Sequence, residues 1–303
     1  MTELTQLQLK ISALLPDVEL RFEEPMHKHT SFRIGGGAEV MAFPKNCEEL
    51  SKILKTSALL DLKPAILGAG TNVLAPDAGI RGIVICLKDC LSGMEHLEGN
   101  RIRVAAGVTM TRAAVFAANL GLSGMEFAHG IPGTVGGGIY MNAGAYGGEL
   151  KDICESVNVM DLDGNLRTVT AEQMVFSYRH SILEEQPGIV TAAVFRLEPK
   201  PTAEIKARMK ELQGKRSASQ PLDLPSAGSA FKRPVGGYAA ALIDQAGLKG
   251  YTVGGAAIST KHAGFAVNIG GATAKDVQDL LTQVSDIVFE KSGIRLEPEV
   301  RIW

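Results

Sequence analysis

The sequence predicts an α+β enzyme in two parts. Strand-like runs rich in β-branched residues, such as IRGIVICL and IVTAAVFRL, interleave with helical patterns such as TMTRAAVFAANLGL. A length of 303 residues is ample for two cores, and the proline-flanked, charged stretch at 199–216 offers a boundary between them.

The elements follow in order. MTELTQLQLKISALLPDVEL carries acidic and polar residues through its apolar positions, so it reads as a short amphipathic helix and not a secretory leader. Residues 40–60, led by PKNCEEL, read as a helix, and KPAILGAGTNVL reads as a short strand entering a glycine turn. IRGIVICL and RIRVAAGV are strands; a helix follows at about 111–120, closed by Gly121. SVNVMDLDGNLRTV alternates on both sides of Asp163-Gly164, which predicts a hairpin. Thr170 and Gln173 have the spacing of a capping box for a short helix leading into FSYRHS. After the strand in IVTAAVFRL come a linker helix at 201–216, a helix in YAAALIDQAG closed by Gly247, and a strand at FAVNI. A long helix at about 273–292 places Val277, Leu280, Leu281, Val284 and Ile287 on one face. In a final strand, Ile294, Leu296, Val300 and Ile302 alternate with Arg295, Glu297, Glu299 and Arg301, and Pro298 marks it as an edge.

Composition narrows the function. Net charge is −2, with 31 basic against 33 acidic residues, so no overall field attracts nucleic acid or an anionic membrane. No apolar run has the length of a membrane span. Cys47, Cys86, Cys90 and Cys154 form no C-x-x-C pair and read as reduced thiols, which points to the cytoplasm. Neither Cys86 with Cys90 nor the His27-x-His29 pair has a further ligand at suitable spacing, so no metal is expected.

The stretch GIPGTVGGGIYMNAGAYGGEL, 130–150, holds more glycine than a helix or strand interior tolerates without cost. A second glycine turn, GAGTN at 68–72, follows a strand. It is not a dinucleotide fingerprint of the G-x-G-x-x-G kind, because Val73 stands where the third glycine belongs, and no P-loop occurs anywhere. Either the glycines serve tight turns, or they form a cradle whose backbone N–H groups face the oxygens of a diphosphate. Two such segments in one domain favour the cradle.

TSFRIGG (30–36), GAGTN (68–72), HGIPGTVGGGIYMNAGAYG (129–147), SYRHS (177–181), GSAFKRP (228–234) and LEPEVRIW (296–303), in this order over nearly the whole chain, resemble the UDP-N-acetylenolpyruvoylglucosamine reductase family, the MurB flavoenzymes. The resemblance implies a vanillyl-alcohol-oxidase/PCMH-type FAD-binding domain of two α+β subdomains, expected at 1–75 and 76–200. The linker helix at 201–216 and a smaller α+β substrate domain at 217–303 would follow. It implies noncovalent FAD, so His129 is expected to carry no flavin bond. Gly68, Ala69, Gly70, Thr71 and Asn72 would form one wall of the FAD site. Pro132, Gly133, Thr134, Val135, Gly136, Gly137, Asn142, Gly144 and Ala145 would form the other.

The implied reaction takes hydride from NADPH onto the flavin and then to the enolpyruvyl group of UDP-N-acetylglucosamine enolpyruvate, giving UDP-N-acetylmuramate for peptidoglycan. By resemblance the catalytic residues are Arg179, Ser229 and Glu299, with Glu297 the second choice for the acid. A guanidinium fork suits a carboxylate whose charge grows, and an enolate is basic enough to take a proton even from a serine hydroxyl. Tyr178, Lys249 and His262 match substrate-holding positions. Arg233 departs from the GSxFKNP form, so the asparagine contact of that motif is not carried over. The short stretch after Arg179 lacks the tyrosine-bearing loop of one branch, placing the chain in the shorter branch. The rival readings are another FAD-dependent dehydrogenase or oxidase on the same fold, and a nucleotide-sugar binding protein without turnover. The sequence leaves the oligomeric state open, and a monomer is compatible with it.

Overall fold

Alternating apolar residues make Cys154–Met160 and Leu166–Thr170 an antiparallel pair, and Gly164 takes the positive φ (83°) that the connecting turn requires. This hairpin is one end of a five-stranded sheet that continues through Ile189–Arg196, Arg101–Ala105 and Met94–Leu97, with every neighbouring pair antiparallel. The chain is seen in a computed structural model that describes residues 4–303.

The chain divides into two compact units, each assembled from separated segments. The first comprises the residues up to Phe22, Glu39–Ala69 and Gly82–Lys215; the second comprises Glu23–Ala38, Gly70–Arg81 and Arg216–Trp303. A linear partition at 75, 200 and 216 does not foresee that 23–38 and 70–81 group with the C-terminal part.

The first unit's core joins the five-stranded sheet to the helices Cys47–Leu59 and Met110–Asn119 through Leu50, Ile53, Leu54, Ala113, Ala117, Val157, Val159 and Phe195, all essentially buried. The strands Glu19–Pro25, Gly37–Phe43, Ile80–Cys86 and Ala65–Leu67 form a four-stranded sheet in that order. The helix expected at 40–60 is shorter than predicted: 40–43 belong to the strand Gly37–Phe43, and Asn46 caps the helix by accepting the Glu49 N–H at 2.9 Å. At 111–120 the expected helix is Met110–Asn119, followed by Gly121 at φ 69°. Thr170 and Gln173 do form reciprocal bonds, at 3.0 and 3.4 Å, but they close a turn and not a helix.

In the second unit an antiparallel sheet in the order Ser226–Ser229, Phe265–Asn268, Ala256–Ile258, Thr252–Val253 packs its apolar residues with Ala274–Ser292. That helix starts at a reciprocal box between Thr273 and Asp276, both bonds 3.0 Å, and buries Val277, Leu280, Leu281, Val284 and Val288. The final strand is a correction. Only Arg301–Ile302 is strand, paired in parallel with Val73–Leu74, and Ile302 is 47% exposed. Leu296 and Val300 are buried as the alternation predicts, but Pro298 limits the stretch before 301 to an isolated bridge with Phe231.

Candidate active site

The glycine-rich stretch contains a helix after all: Val135–Tyr140, VGGGIY, capped by Thr134. Its glycines are bare for different reasons. A Cβ on Gly136 would stand 2.9 Å from the Ala106 Cβ, and one on Gly138 would meet Leu150 and Met110 at 2.9 Å. Those two therefore let the helix lie close to its own unit. Gly137 is exposed, and a Cβ there would find only the Thr134 Oγ1 at 3.7 Å. It is the glycine the protein's own packing does not require.

The segment is docked by its backbone. Gly133 O accepts from the Met110 N–H at 3.0 Å, while the Val135 and Gly136 N–H groups donate to Val108 O and Ala106 O at 2.8 and 2.9 Å. The two glycine-rich segments meet within the first unit: a Cβ on Gly68 would come 2.6 Å from Thr134 Oγ1. Ala69 follows Gly68 at the end of that unit's segment, whereas Gly70, Thr71 and Asn72 belong to the second unit, where Gly70 passes the His29 carbonyl too closely for any side chain. Pro132 is exposed, but the Val135 side chain lies in the core and its N–H is already given to Val108 O. Farther on, Gly144–Ala145 pairs with Gly148–Glu149 across a two-residue turn in which Tyr146 and Gly147 both have positive φ, 54° and 86°.

Asn142 is fully buried, and its side chain is committed to the protein. Its Nδ2 donates to Glu149 Oε2 and to Ser177 O, both at 2.9 Å, and its Oδ1 accepts the Lys151 N–H at 3.0 Å. Ser177 begins a tight turn: His180 N–H donates to Ser177 O at 3.3 Å, and Ser177 N–H donates to His180 O at 3.2 Å. Arg179 is third in that turn with φ 57°, the position where a type II turn places positive φ. Its guanidinium carbon lies 4.9 Å from the centre of the half-exposed Tyr178 ring. Glu149 is held below the usual carboxylate range, first by its bond to Lys151 and then by Asn142, with the Arg179 charge acting in the same direction.

The second unit gathers residues far apart in sequence. Ser229 ends the strand Ser226–Ser229 opposite Phe265, beyond an irregularity at Gly228, φ 78°, and is exposed. The next residue, Ala230, accepts the Glu299 N–H at 2.9 Å and donates to Gly264 O at 2.8 Å. Asn72 Nδ2 donates to Glu299 O at 3.3 Å, and Asn72 O accepts the Arg301 N–H at 2.9 Å. Ser31 Oγ donates to Ser226 O at 2.6 Å and approaches Gly70 O at 3.3 Å. Ser229 and Glu299 are thus placed on neighbouring stretches by main-chain bonds. Glu297, in contrast, forms an exposed ion pair with Lys232 at 2.5 Å.

Lys249 pairs with Asp244 at 2.7 Å. The His262 Nδ1 accepts the Gly264 N–H at 3.1 Å, so in the neutral ring Nε2 carries the proton, and the ring meets Phe265 edge-on. Burial lowers the His262 pKa, and the Lys249 charge adds to this. Arg233 lies over the exposed Tyr238 ring, 4.4 Å from its centre. The family resemblance assigned Asn142 to the cofactor; its bonds to Glu149, Ser177 and Lys151, and those of Ser31 to Ser226 and Gly70, carry no signal in the sequence.

Among the described residues no three His, Cys, Asp or Glu side chains cluster as a metal site, and no helix is long and apolar enough to cross a membrane. Residues 38–170 match the FAD binding domain family, and residues 220–303 match the C-terminal domain of UDP-N-acetylenolpyruvoylglucosamine reductase. A flavin-binding part followed by a part that presents Ser229 and Glu299 together defines a two-unit α+β flavoprotein oxidoreductase. UDP-N-acetylenolpyruvoylglucosamine reductase of Agathobacter rectalis is 46% identical over 303 residues, covering 96% of each chain. That of Caldanaerobacter subterraneus is 46% identical, covering 97% of this chain and 96% of its own. The crystal structure of the Thermus caldophilus enzyme superposes with a TM-score of 0.80 at 37% identity, covering 94% of this chain and 98% of that one. The chain belongs to the UDP-N-acetylenolpyruvoylglucosamine reductase family.

Proposed function

We infer that the chain is an NADPH-dependent flavoenzyme that reduces the enolpyruvyl group of UDP-N-acetylglucosamine enolpyruvate to UDP-N-acetylmuramate in peptidoglycan precursor synthesis. The family membership carries the reading, and the observation that supports it at residue level is the main-chain pairing that sets Glu299 beside the Ser229–Ala230 stretch. The FAD fit rests on Gly137, whose bareness no neighbour in the protein explains, and on the approach of Gly68 to Thr134. Gly68–Asn72 and 132–137, with Gly144 and Ala145, would hold the cofactor, Val135 and Gly136 by shape only, since their N–H groups are given to Val108 O and Ala106 O, and Asn142 without a free side-chain donor. When bound, FAD carries hydride from NADPH to the substrate double bond.

The chain's own residues account for the charge and the proton. Hydride arriving at the methylene carbon leaves negative charge on the carbon that bears the carboxylate. Arg179 is assigned to that carboxylate, because its planar fork stays charged and binds two oxygens at once. Ser229 donates the proton to the enolate carbon, with Glu299 beside that carbon. Tyr178, Lys249 and His262 hold the substrate, and Lys249 would exchange its Asp244 partner for a diphosphate oxygen. Residues 1–75 and 76–200 would supply the two flavin subdomains and 217–303 the substrate part, although 23–38 and 70–81 group with the C-terminal unit. We place the enzyme in the cytoplasm; its four cysteines are all free thiols, which suits a reducing compartment.

Purified protein is expected to be yellow and to release FAD on acid precipitation. NADPH should bleach it anaerobically, and the enolpyruvyl substrate should restore the colour. Colourless protein without FAD affinity, or bleached protein indifferent to that substrate, would refute the reading.

A further inference from the structure

We propose that Asn142 is a positioning residue for the catalytic arginine: its buried amide holds the Ser177–His180 turn and thereby fixes where Arg179 presents its guanidinium. The inference rests on the proposed role of Arg179 in the reaction. Two residues with positive φ lie on the two segments that one hydrogen bond joins here. Arg179 has φ 57° and Asn142 has φ 42°, although neither is glycine, and Asn142 Nδ2 donates to Ser177 O, the first residue of the turn that contains Arg179. Strained conformations of this kind persist only where the surroundings over-determine them.

The surroundings do so here. The Asn142 side chain has one oxygen and one NH2 group, and both are used: Lys151 N–H donates to the oxygen, and the NH2 divides between Ser177 O and Glu149. Ser181, also fully buried, closes the other side of the turn by donating its hydroxyl to Tyr140 O at 2.8 Å. Tyr140 ends the glycine helix and Asn142 follows two residues later. The arginine turn is therefore fastened at both ends to the segment that begins with the glycines assigned to the flavin. With both of its N–H hydrogens engaged, the Asn142 amide has no donor left for a cofactor oxygen.

The NH2 group also faces the Glu149 carboxylate, which Lys151 pairs at 2.8 Å. One amide thus joins a carboxylate that feels the Arg179 charge to the carbonyl that opens the Arg179 turn. Loss of the amide releases the turn without removing any group that touches substrate. The damage should fall on the step the arginine serves and spare the delivery of hydride to the flavin.

The test is a cycle in the FAD-loaded enzyme with Asn142→Ala, Arg179→Ala and the double variant. Flavin reduction by NADPH and reoxidation by the enolpyruvyl substrate are measured separately. Asn142→Ala is expected to slow reoxidation about 10-fold or more and to leave reduction within about 2-fold of wild type. Added to Arg179→Ala it should cost reoxidation nothing further, since residues acting as one unit are not additive. Amide hydrogen exchange in the oxidised holoenzyme is the second readout: 177–181 should exchange faster in Asn142→Ala while the sheet strand Ile189–Arg196 does not. Where the alanine variant fails to fold, Asn142→Asp serves, being nearly isosteric but unable, when ionised, to donate to Ser177 O. Additive losses, equal slowing of both half-reactions, or unchanged exchange at 177–181 would overturn the proposal. Full-rate reoxidation by Arg179→Ala alone would instead remove the role of Arg179, and the positioning role with it.

Discussion

The two units present their site residues by opposite means. In the first, Arg179 sits in a turn closed by its own main-chain bonds but fastened to the rest of the unit by side chains, chiefly Asn142 and Ser181. In the second, Ser229 and Glu299 are placed mainly by main-chain bonds of Ala230 with Glu299 and Gly264 and of Arg301 with Asn72, and by the strand pairing of Ser229 with Phe265, with one side-chain bond from Asn72 to Glu299 O. Main-chain pairing survives most side-chain changes, so the second unit should be sensitive at the acting residues themselves. A turn fastened by side chains should also be sensitive at remote buried positions.

The largest effect sharpens this contrast. Ser229→Ala removes the proton donor but no main-chain bond, so flavin reduction should stay near normal while reoxidation by substrate falls of order 10² or more. Equal damage to both half-reactions in rapid mixing would break the contrast, because it would mean that the serine supports the fold. Arg179→Lys should come next, rescuing reoxidation poorly, since an ammonium cannot reproduce a planar fork. Wild-type turnover in that variant would count against the assignment.

The glycine helix offers a comparison within one turn of chain. Gly136→Ala drives a methyl into Ala106 and should lower stability by about 1–3 kcal/mol. Gly137→Ala points into open space and should raise the stability of the flavin-free protein by about 0.5–1 kcal/mol. The same change should weaken FAD binding by titration. If FAD affinity is unchanged in Gly137→Ala, the exposed face of that helix is not the flavin wall.

The smallest effect concerns His262. Its pKa in the fold is lowered by burial, so the unfolded chain binds more protons in the interval below the ordinary value of 6.5. Its contribution to stability is therefore present above that value and is lost as pH falls toward the lowered one. Melting curves from pH 7.5 downward should show a shallower loss in His262→Gln than in wild type; a steeper loss would reverse the inferred sign.

Much of this was legible in the sequence where structure is local. The Asp163-Gly164 hairpin, the helix Ala274–Ser292 with its Thr273 cap, and the family motifs are each set by residues within a few positions of one another. Contacts made at long range were not legible. Residues 23–38 and 70–81 join the second unit through pairings such as Arg301 with Val73, which no local periodicity encodes. The glycine content of 130–150 argues against a helix at VGGGIY, because glycine propensity is poor. Close packing on Ala106, Leu150 and Met110 overrides that propensity. Asn142 was assigned to the flavin for its place in a glycine-rich motif, and only the three-dimensional partners reveal that its amide is already engaged.

The central claim is best tested by reducing the holoenzyme anaerobically with one equivalent of NADPH and mixing it rapidly with UDP-N-acetylglucosamine enolpyruvate. The account predicts single-turnover return of the oxidised flavin spectrum with formation of UDP-N-acetylmuramate, slowed about 10²-fold or more in Ser229→Ala. Flavin that stays bleached in wild type, or a Ser229→Ala variant that reoxidises at the wild-type rate, would contradict it.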